Sequence, residues 1–517
     1  MKPFPRALAA VILLVAIGAF ASDQTPTIDW DTVAKIREEG LQRSQVMDIT
    51  GYIVDVLGAR LTNSEDMKRA QAWVRGKMEQ LGLENVVIEP FMDYGVTWDN
   101  EFFSLHMLEP DYQPMMGFPL AHTAGTKGKV VCPAVIASDI QTKKDLDRYR
   151  GKLKGAAVLT TPPFMLDMAA LTQGVARRTP EEMKQMEEAV VPTPQRPATP
   201  PPPRNLNLLK PEEKLEFFRA EGAAVVLQCE SGIPGAVRGF ARPGTKDDKW
   251  SREKTLGTLP IIAVTPEHYN RMYRILKRNI PVKIEAEVRN RVGEKVEKAA
   301  NVIGEFPGTD LADEVVMVGA HFDSWHASPG ASDDAAGCAV ALEAVRILKA
   351  IGAKPRRTIR LAFWGGEEQG LHGSREYVNA HFGNPKDPKA SVKPEYEKFS
   401  AYFNQDYGAG QFRGIYLQGN ERVRRLFAAW MEPFRDFGLT TVSIQSVGST
   451  DHVSFDAAGL PGFQFIQDRI GGTAGHTNMD FFDTLRAEDL MKNAVVEAAF
   501  VYHAAMADDR IPRKPLK

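Results

Sequence analysis

The sequence predicts an α/β fold: a mixed, mostly parallel sheet sandwiched by helices, with a β-rich unit inserted into it. Three observations carry this. From Asn301 onward, apolar runs that suit buried strands alternate with segments of helical periodicity. Between residues 117 and 290 the character changes to short β-rich runs joined by glycine turns. Several strand-like runs of the later part end in polar residues, where α/β sheets carry their sites.

In chain order, residues 1–21 read as a secretory signal. Lys2 and Arg6 give a positive start, residues 7–18 are apolar, and Ala19-Phe20-Ala21 is a cleavage signal before Ser22. An uncleaved anchor is the alternative. The apolar run is short for a membrane span and no later segment could cross a bilayer, so no stable membrane insertion is expected. Export to the periplasm or the extracellular space follows. The rest of the 517-residue chain is too long for one core and suggests two or three domains. A net charge of −2 argues against a nucleic-acid partner. The three cysteines are Cys132, Cys229 and Cys338. Export would permit a Cys132–Cys229 disulfide, which the sequence leaves open; Cys338 reads as a small buried residue.

Residues 22–116 form the first part of the main domain. Residues 48–57 carry apolar residues at helical spacing. Asn63-Ser64 precedes a long helix to Leu81 with Ala70, Trp73, Val74, Met78 and Leu81 as its stripe; Gly82 stops it and residues 85–91 are strand-like. In the insert, strands are expected at 128–135, 156–160, 223–227, 261–264 and 282–288, with a helix at 212–221. Residues 191–204, V-P-T-P-Q-R-P-A-T-P-P-P-P-R, predict an exposed, semi-rigid loop. The remaining part, 291–517, should hold strands at 315–318, 358–364, 399–404, 412–417, 441–446 and 462–467. Helices are expected at 335–350 and 421–437, and a closing one at 485–506.

The chemistry-bearing residues sit at the ends of these strands. His321 and Asp323 are two apart, so on an extended chain they point the same way. A Pro329-Gly330 turn leads to Asp333 and Asp334. Residues 358–364 run into Gly365-Gly366-Glu367-Glu368. Adjacent carboxylates on a glycine turn diverge, so one can bind a metal while the other acts as a base. Residues 399–404 deliver Asp406, and G-H-T-N-M-D at 475–480 adds His476 with Asp480 four further on. A satisfied histidine or a solvated acidic turn would explain any one of these; their recurrence favours a site. His321, Asp333, Glu368, Asp406 and His476 offer nitrogen and carboxylate ligands without thiolate, which suits catalytic zinc. Five are too many for one open zinc and fit two sharing a carboxylate, roughly 3.5–4 Å apart.

In this order the motifs H-x-D, G-A-x-D-D, E-E, N-x-D and G-H-T-x-x-D resemble those of the co-catalytic di-zinc exopeptidases. That group includes aminopeptidase Y, carboxypeptidase Q and the bacterial leucyl aminopeptidases. The resemblance implies the zinc exopeptidase fold and two Zn²⁺ per chain. It implies that His321, Asp333 and Glu368 hold one zinc, and that Asp333, Asp406 and His476 hold the other. Glu367 would be the general base, Asp323 would orient the His321 ring, and Asp480 would hold the second nitrogen of His476. His452, in T-D-H, would contact substrate; in a carboxypeptidase, which needs a cation for the free carboxylate, Arg469 would serve. The insert resembles a protease-associated domain. Substrates would be peptides or dipeptides; aminopeptidase or carboxypeptidase direction and a homodimer stay open. The chain departs from the family at Asp334, where asparagine is frequent. Two rivals remain: a one-zinc glutaminyl cyclase, which would not need all five ligands, and a non-catalytic binding ectodomain, which would have lost Glu367 or a ligand.

Overall fold

The computed structural model describes residues 28–192, 208–243, 250–386 and 391–515. The signal-like residues 1–21 and nearly all of the proline-rich loop lie outside them. Of that loop Val191 and Pro192 are described, and the Pro192 carbonyl accepts from the Ser446 N–H at 2.7 Å.

The main sheet has eight strands. Their order is Glu84–Gly95, Glu297–Phe306, Arg357–Trp364, Leu311–His321, Phe399–Asn404, Gly462–Gln467, Phe412–Tyr416 and Thr441–Ser443. The four central strands are parallel; one edge carries an antiparallel pair, and at the other Phe412–Tyr416 runs antiparallel to Gly462–Gln467 and parallel to Thr441–Ser443. This is the mixed, mostly parallel sheet that the alternating pattern predicts. Leu311–His321 lies at its middle with Val316, Met317 and Val318 fully buried, as expected for a strand covered on both faces. His321 pairs with Trp364 and Gly319 with Asn404, so three strands end together.

Helices Ala336–Ala350 and Ala487–Met506 pack in one large apolar cluster with one face of the sheet, burying Val340, Leu348, Val495 and Phe500. His372–His381 and His452–Ala457 cover the other face through Tyr377, Phe382 and Phe455. Near the N-terminus, Ser64 caps helix Glu65–Gln80 by accepting from the Met67 N–H at 3.0 Å. Ala70, Val74 and Met78 are buried as expected; Trp73 and Leu81 are half-buried against the same core, Trp73 stacked on Tyr52 at 4.7 Å between centroids. The helix expected over 421–437 is broken, with Arg424–Met431 alone α-helical, because Pro433 cannot continue it.

A second eight-stranded sheet is built largely from the insert. Its parallel core is Val130–Ile136, Ala157–Leu159, Val225–Gln228 and Ile261–Val264. It begins earlier than residue 117, because Trp98–Glu109 pairs antiparallel with Lys283–Val292 along almost its whole length. Cys132, Cys229 and Cys338 are all free, buried thiols, so the permitted disulfide is absent. Among the described residues no helix is long and apolar enough to cross a membrane.

Candidate metal centre

The five expected ligands converge at the carboxyl ends of the central strands. They form two sets: His321, Asp333 and Asp406, and Asp333, Glu368 and His476; within each, the ligand atoms all lie within 4.8 Å of one another. Asp333 belongs to both. Its Oδ1 lies 3.0 Å from His321 Nε2, and its Oδ2 lies 3.1 Å from His476 Nε2. Glu368 Oε2 is 2.8 Å from the same His476 nitrogen, and Asp406 Oδ1 is 3.6 Å from His321 Nε2.

This corrects the implied pairing, which put Glu368 with His321 and Asp406 with His476. The strand that delivers Glu368 and the strand that delivers Asp406 flank Leu311–His321 on opposite sides. Glu368 turns toward the late loop bearing His476, and Asp406 closes back on His321.

Asp323 also differs from expectation. His321 Nδ1 meets the main-chain oxygen of Asp323 at 2.9 Å, whereas the nearer carboxylate oxygen is 3.8 Å away. A main-chain acceptor fixes the ring so that Nε2 faces the cluster. The Asp323 carboxylate instead accepts from the N–H groups of Glu367 at 3.1 Å and Glu368 at 3.3 Å, and from the Thr62 hydroxyl at 2.8 Å. It pins the glutamate turn, whose tight path uses Gly366 at a φ of +73°.

Asp480 does not touch the second nitrogen of His476. It accepts from Ser332 N–H at 2.8 Å, Ser332 Oγ at 2.7 Å and Asp333 N–H at 3.1 Å, and so holds the loop that presents Asp333. His452 is fully buried, with Nε2 3.0 Å from the Val447 carbonyl, out of reach of a substrate. Burial holds its ring down at about 4. Arg469 is exposed and pairs with Glu182 of helix Pro180–Glu187 at 3.1 Å, away from the cluster.

The charges describe a site built for cations. Burial works against a charged His476, but Glu368 and Asp333 raise it to about 11. His321 is likewise held well above its ordinary value against burial, by Asp406, Glu367 and its bond to Asp333. Burial raises Glu368 to about 7, with the Asp333 charge adding to it. Glu368 Oε1 is buried with no hydrogen-bond partner. An orphaned carboxylate oxygen in a cluster of carboxylates and imidazoles is the donor set that a divalent transition metal satisfies. The nearest thiol, Cys338, points elsewhere: its Sγ donates to the His321 carbonyl at 3.0 Å.

Glu367 lies apart from both sets. Burial pushes its carboxyl well up; the His321 charge opposes this, and Asp406 and Asp451 reinforce it. Asp451 escaped the sequence reading, which took His452 from the same T-D-H. It is fully buried, and burial raises it to about 7. Its signal was the T-D-H motif itself.

Known proteins resemble the chain along most of its length. Carboxypeptidase Q of Mus musculus is 24% identical over 480 residues, covering 92% of this chain and 88% of the relative. Among solved structures, a peptidase M28 precursor from Shewanella amazonensis matches with a TM-score of 0.64 and 22% identity, covering 94% of this chain and 99% of that one. A zinc aminopeptidase from Bacillus subtilis matches with a TM-score of 0.57 and 19% identity, covering 90% and 95%. These structures share the α/β fold. Residues 301–501, which carry all five converging ligands, match the model of peptidase family M28.

Proposed function

We propose that the protein is an exported, zinc-dependent exopeptidase that uses two zinc ions to hydrolyse short peptides or dipeptides. The observation that carries this is the position of Asp333, which lies in both three-residue ligand sets, one carboxylate oxygen toward each histidine. The names of its relatives, carboxypeptidase Q and the zinc aminopeptidases, support the same chemistry. The signal-like start supports export, and the insert's β-rich pattern supports a protease-associated domain that frames the cleft. His321 and Asp406 would hold one metal and Glu368 and His476 the other, with Asp333 shared.

Bound there, a zinc pair supplies Lewis acidity for a scissile carbonyl and lowers the pKa of a water toward neutrality. The chain's own part falls to Glu367. Its carboxylate takes a proton from the attacking water and delivers it to the leaving amine nitrogen. Asp323 keeps Glu367 and Glu368 on one fixed turn, so that base and ligand cannot exchange places. Asp480 does the same for Asp333 through main-chain N–H groups. A one-zinc cyclase finds no support in a geometry that gathers four ligands around a shared carboxylate.

The test is hydrolysis of free, N-blocked and C-amidated dipeptides by zinc-loaded protein. Cleavage that chelation abolishes and zinc restores is the expected result. Cleavage indifferent to chelation, or none on any of the three, would remove the reading.

A further inference from the structure

The direction of the exopeptidase turns on which end of a short substrate meets a fixed charge. A free C-terminal carboxylate is best held by a guanidinium, which offers it two parallel N–H groups. Several other arginines are committed to partners of their own. Arg60 donates to the main-chain oxygens of Gly58, Phe322 and Pro329. Arg177 pairs with Asp468 and Asp489, and Arg413 with Asp468. Arg375 donates to the Gly370 carbonyl, and Arg469 is held by Glu182.

Arg238 differs. It stands on the loop of the second unit that follows strand Val225–Gln228, and it bridges antiparallel to Thr477, the residue after His476. The next residue, Gly239, donates its N–H to the His476 carbonyl at 3.1 Å. The Arg238 guanidinium carbon is 5.9 Å from the centroid of the Phe240 ring. That ring in turn stands edge-on to the His476 ring, 5.8 Å between centroids. One aromatic ring therefore separates the guanidinium from a metal ligand. Arg238 Nε is buried and has no hydrogen-bond partner. Among the described residues, no carboxylate comes within ion-pair distance of it; its charge does act on Glu230, where it opposes the burial that raises that carboxyl. A half-buried cation with an unmet donor costs stability unless something answers it.

A dipeptide has the matching anion. Its carboxylate lies one residue beyond the scissile carbonyl, roughly 3.8 Å further along the chain. We propose that Arg238 binds the free C-terminal carboxylate of the substrate, which makes this a site for dipeptides and for peptides cleaved next to their C-terminus. The proposal rests on the peptidase reading above. It also gives the inserted unit a direct part in substrate selection, since the unit supplies the cation while the main domain supplies the metal ligands.

The test separates binding from turnover. The full-length, zinc-loaded Glu367→Gln protein is titrated by calorimetry with alanyl-leucine and with its C-terminal amide. The expected result is that the acid binds about tenfold to a hundredfold more tightly than the amide. Arg238→Gln in the same background should bring the two affinities together, and Arg238→Lys should keep part of the preference. With Glu367 intact, Arg238→Gln should lower the acid-to-amide ratio of kcat/KM by the same factor. Equal affinities before substitution, no binding of the acid, or a preference that survives Arg238→Gln would each overturn the proposal. If neither peptide is hydrolysed by the unsubstituted protein, the peptidase reading falls, while the calorimetry still decides the role of Arg238.

Discussion

The carboxylate of Asp323 accepts the main-chain N–H of Glu367 at 3.1 Å, 44 residues away in sequence. Through this bond and its companion to Glu368, the strand that ends in His321 sets the turn that carries the other half of the chemistry. Asp323→Asn keeps the size but places an amide N–H against N–H donors. The expected loss is about 10- to 100-fold in activity or metal affinity, with the fold retained. Circular dichroism beside turnover checks it; unchanged turnover would show that the turn holds itself.

Metal binding should release protons. The imidazoles of both histidines are held up by the carboxylates around them, and a ligating nitrogen must lose its proton. The sign follows: protons compete with zinc, so affinity rises with pH across the neutral range. Zinc titrations in buffers of different ionisation enthalpy should show net proton release near neutrality. No release would mean that these rings are neutral before the metal arrives.

Away from the site, His381 gives a stability prediction. Its bonds to Glu395 and Glu89 raise it to about 9, against an ordinary value of about 6.5. A raised folded value means that this stabilisation is full below the ordinary value and is lost as pH rises through the folded one. His381→Gln should therefore be less stable than the parent at about pH 6 and equal to it by about pH 10. Denaturant unfolding at the two pH values measures this, and a gap that persists at the higher pH would contradict it.

Gly319 lies in the central strand, two residues before His321, and a Cβ there would fall 1.9 Å from the Ala362 carbonyl oxygen. Gly319→Ala must push apart two paired strands. A loss of roughly 1–3 kcal/mol in unfolding free energy is expected, together with weaker metal binding, because the ends of both strands carry the site. A variant as stable as the parent would mean that the strands part freely.

Much of this was legible in the sequence, for identifiable reasons. Buried parallel strands announce themselves as apolar runs such as Val316-Met317-Val318, and their polar ends mark the site. The five ligands were legible as residue types at strand ends. Which carboxylate joins which histidine was not, because the lateral order of strands is a property of the sheet. The roles of Asp323 and Asp480 were misread for a related reason. Both bind main-chain N–H groups, which side-chain spacing does not reveal. Arg469 was read as a free cation because nothing local to it signals Glu182, which a helix far earlier in the chain brings alongside.

The central claim is that Glu367 and Glu368, adjacent and identical, do different work around a two-metal centre. The measurement is zinc stoichiometry beside turnover for the parent, Glu367→Gln and Glu368→Gln. The parent should hold about two zincs per chain, as expected of a shared-carboxylate site. Glu367→Gln should keep both and lose on the order of 10²–10⁴-fold in rate, while Glu368→Gln should lose one zinc and recover part of its activity in excess metal. A parent with one zinc, or a Glu367→Gln protein that loses metal while Glu368→Gln keeps it, would contradict the account.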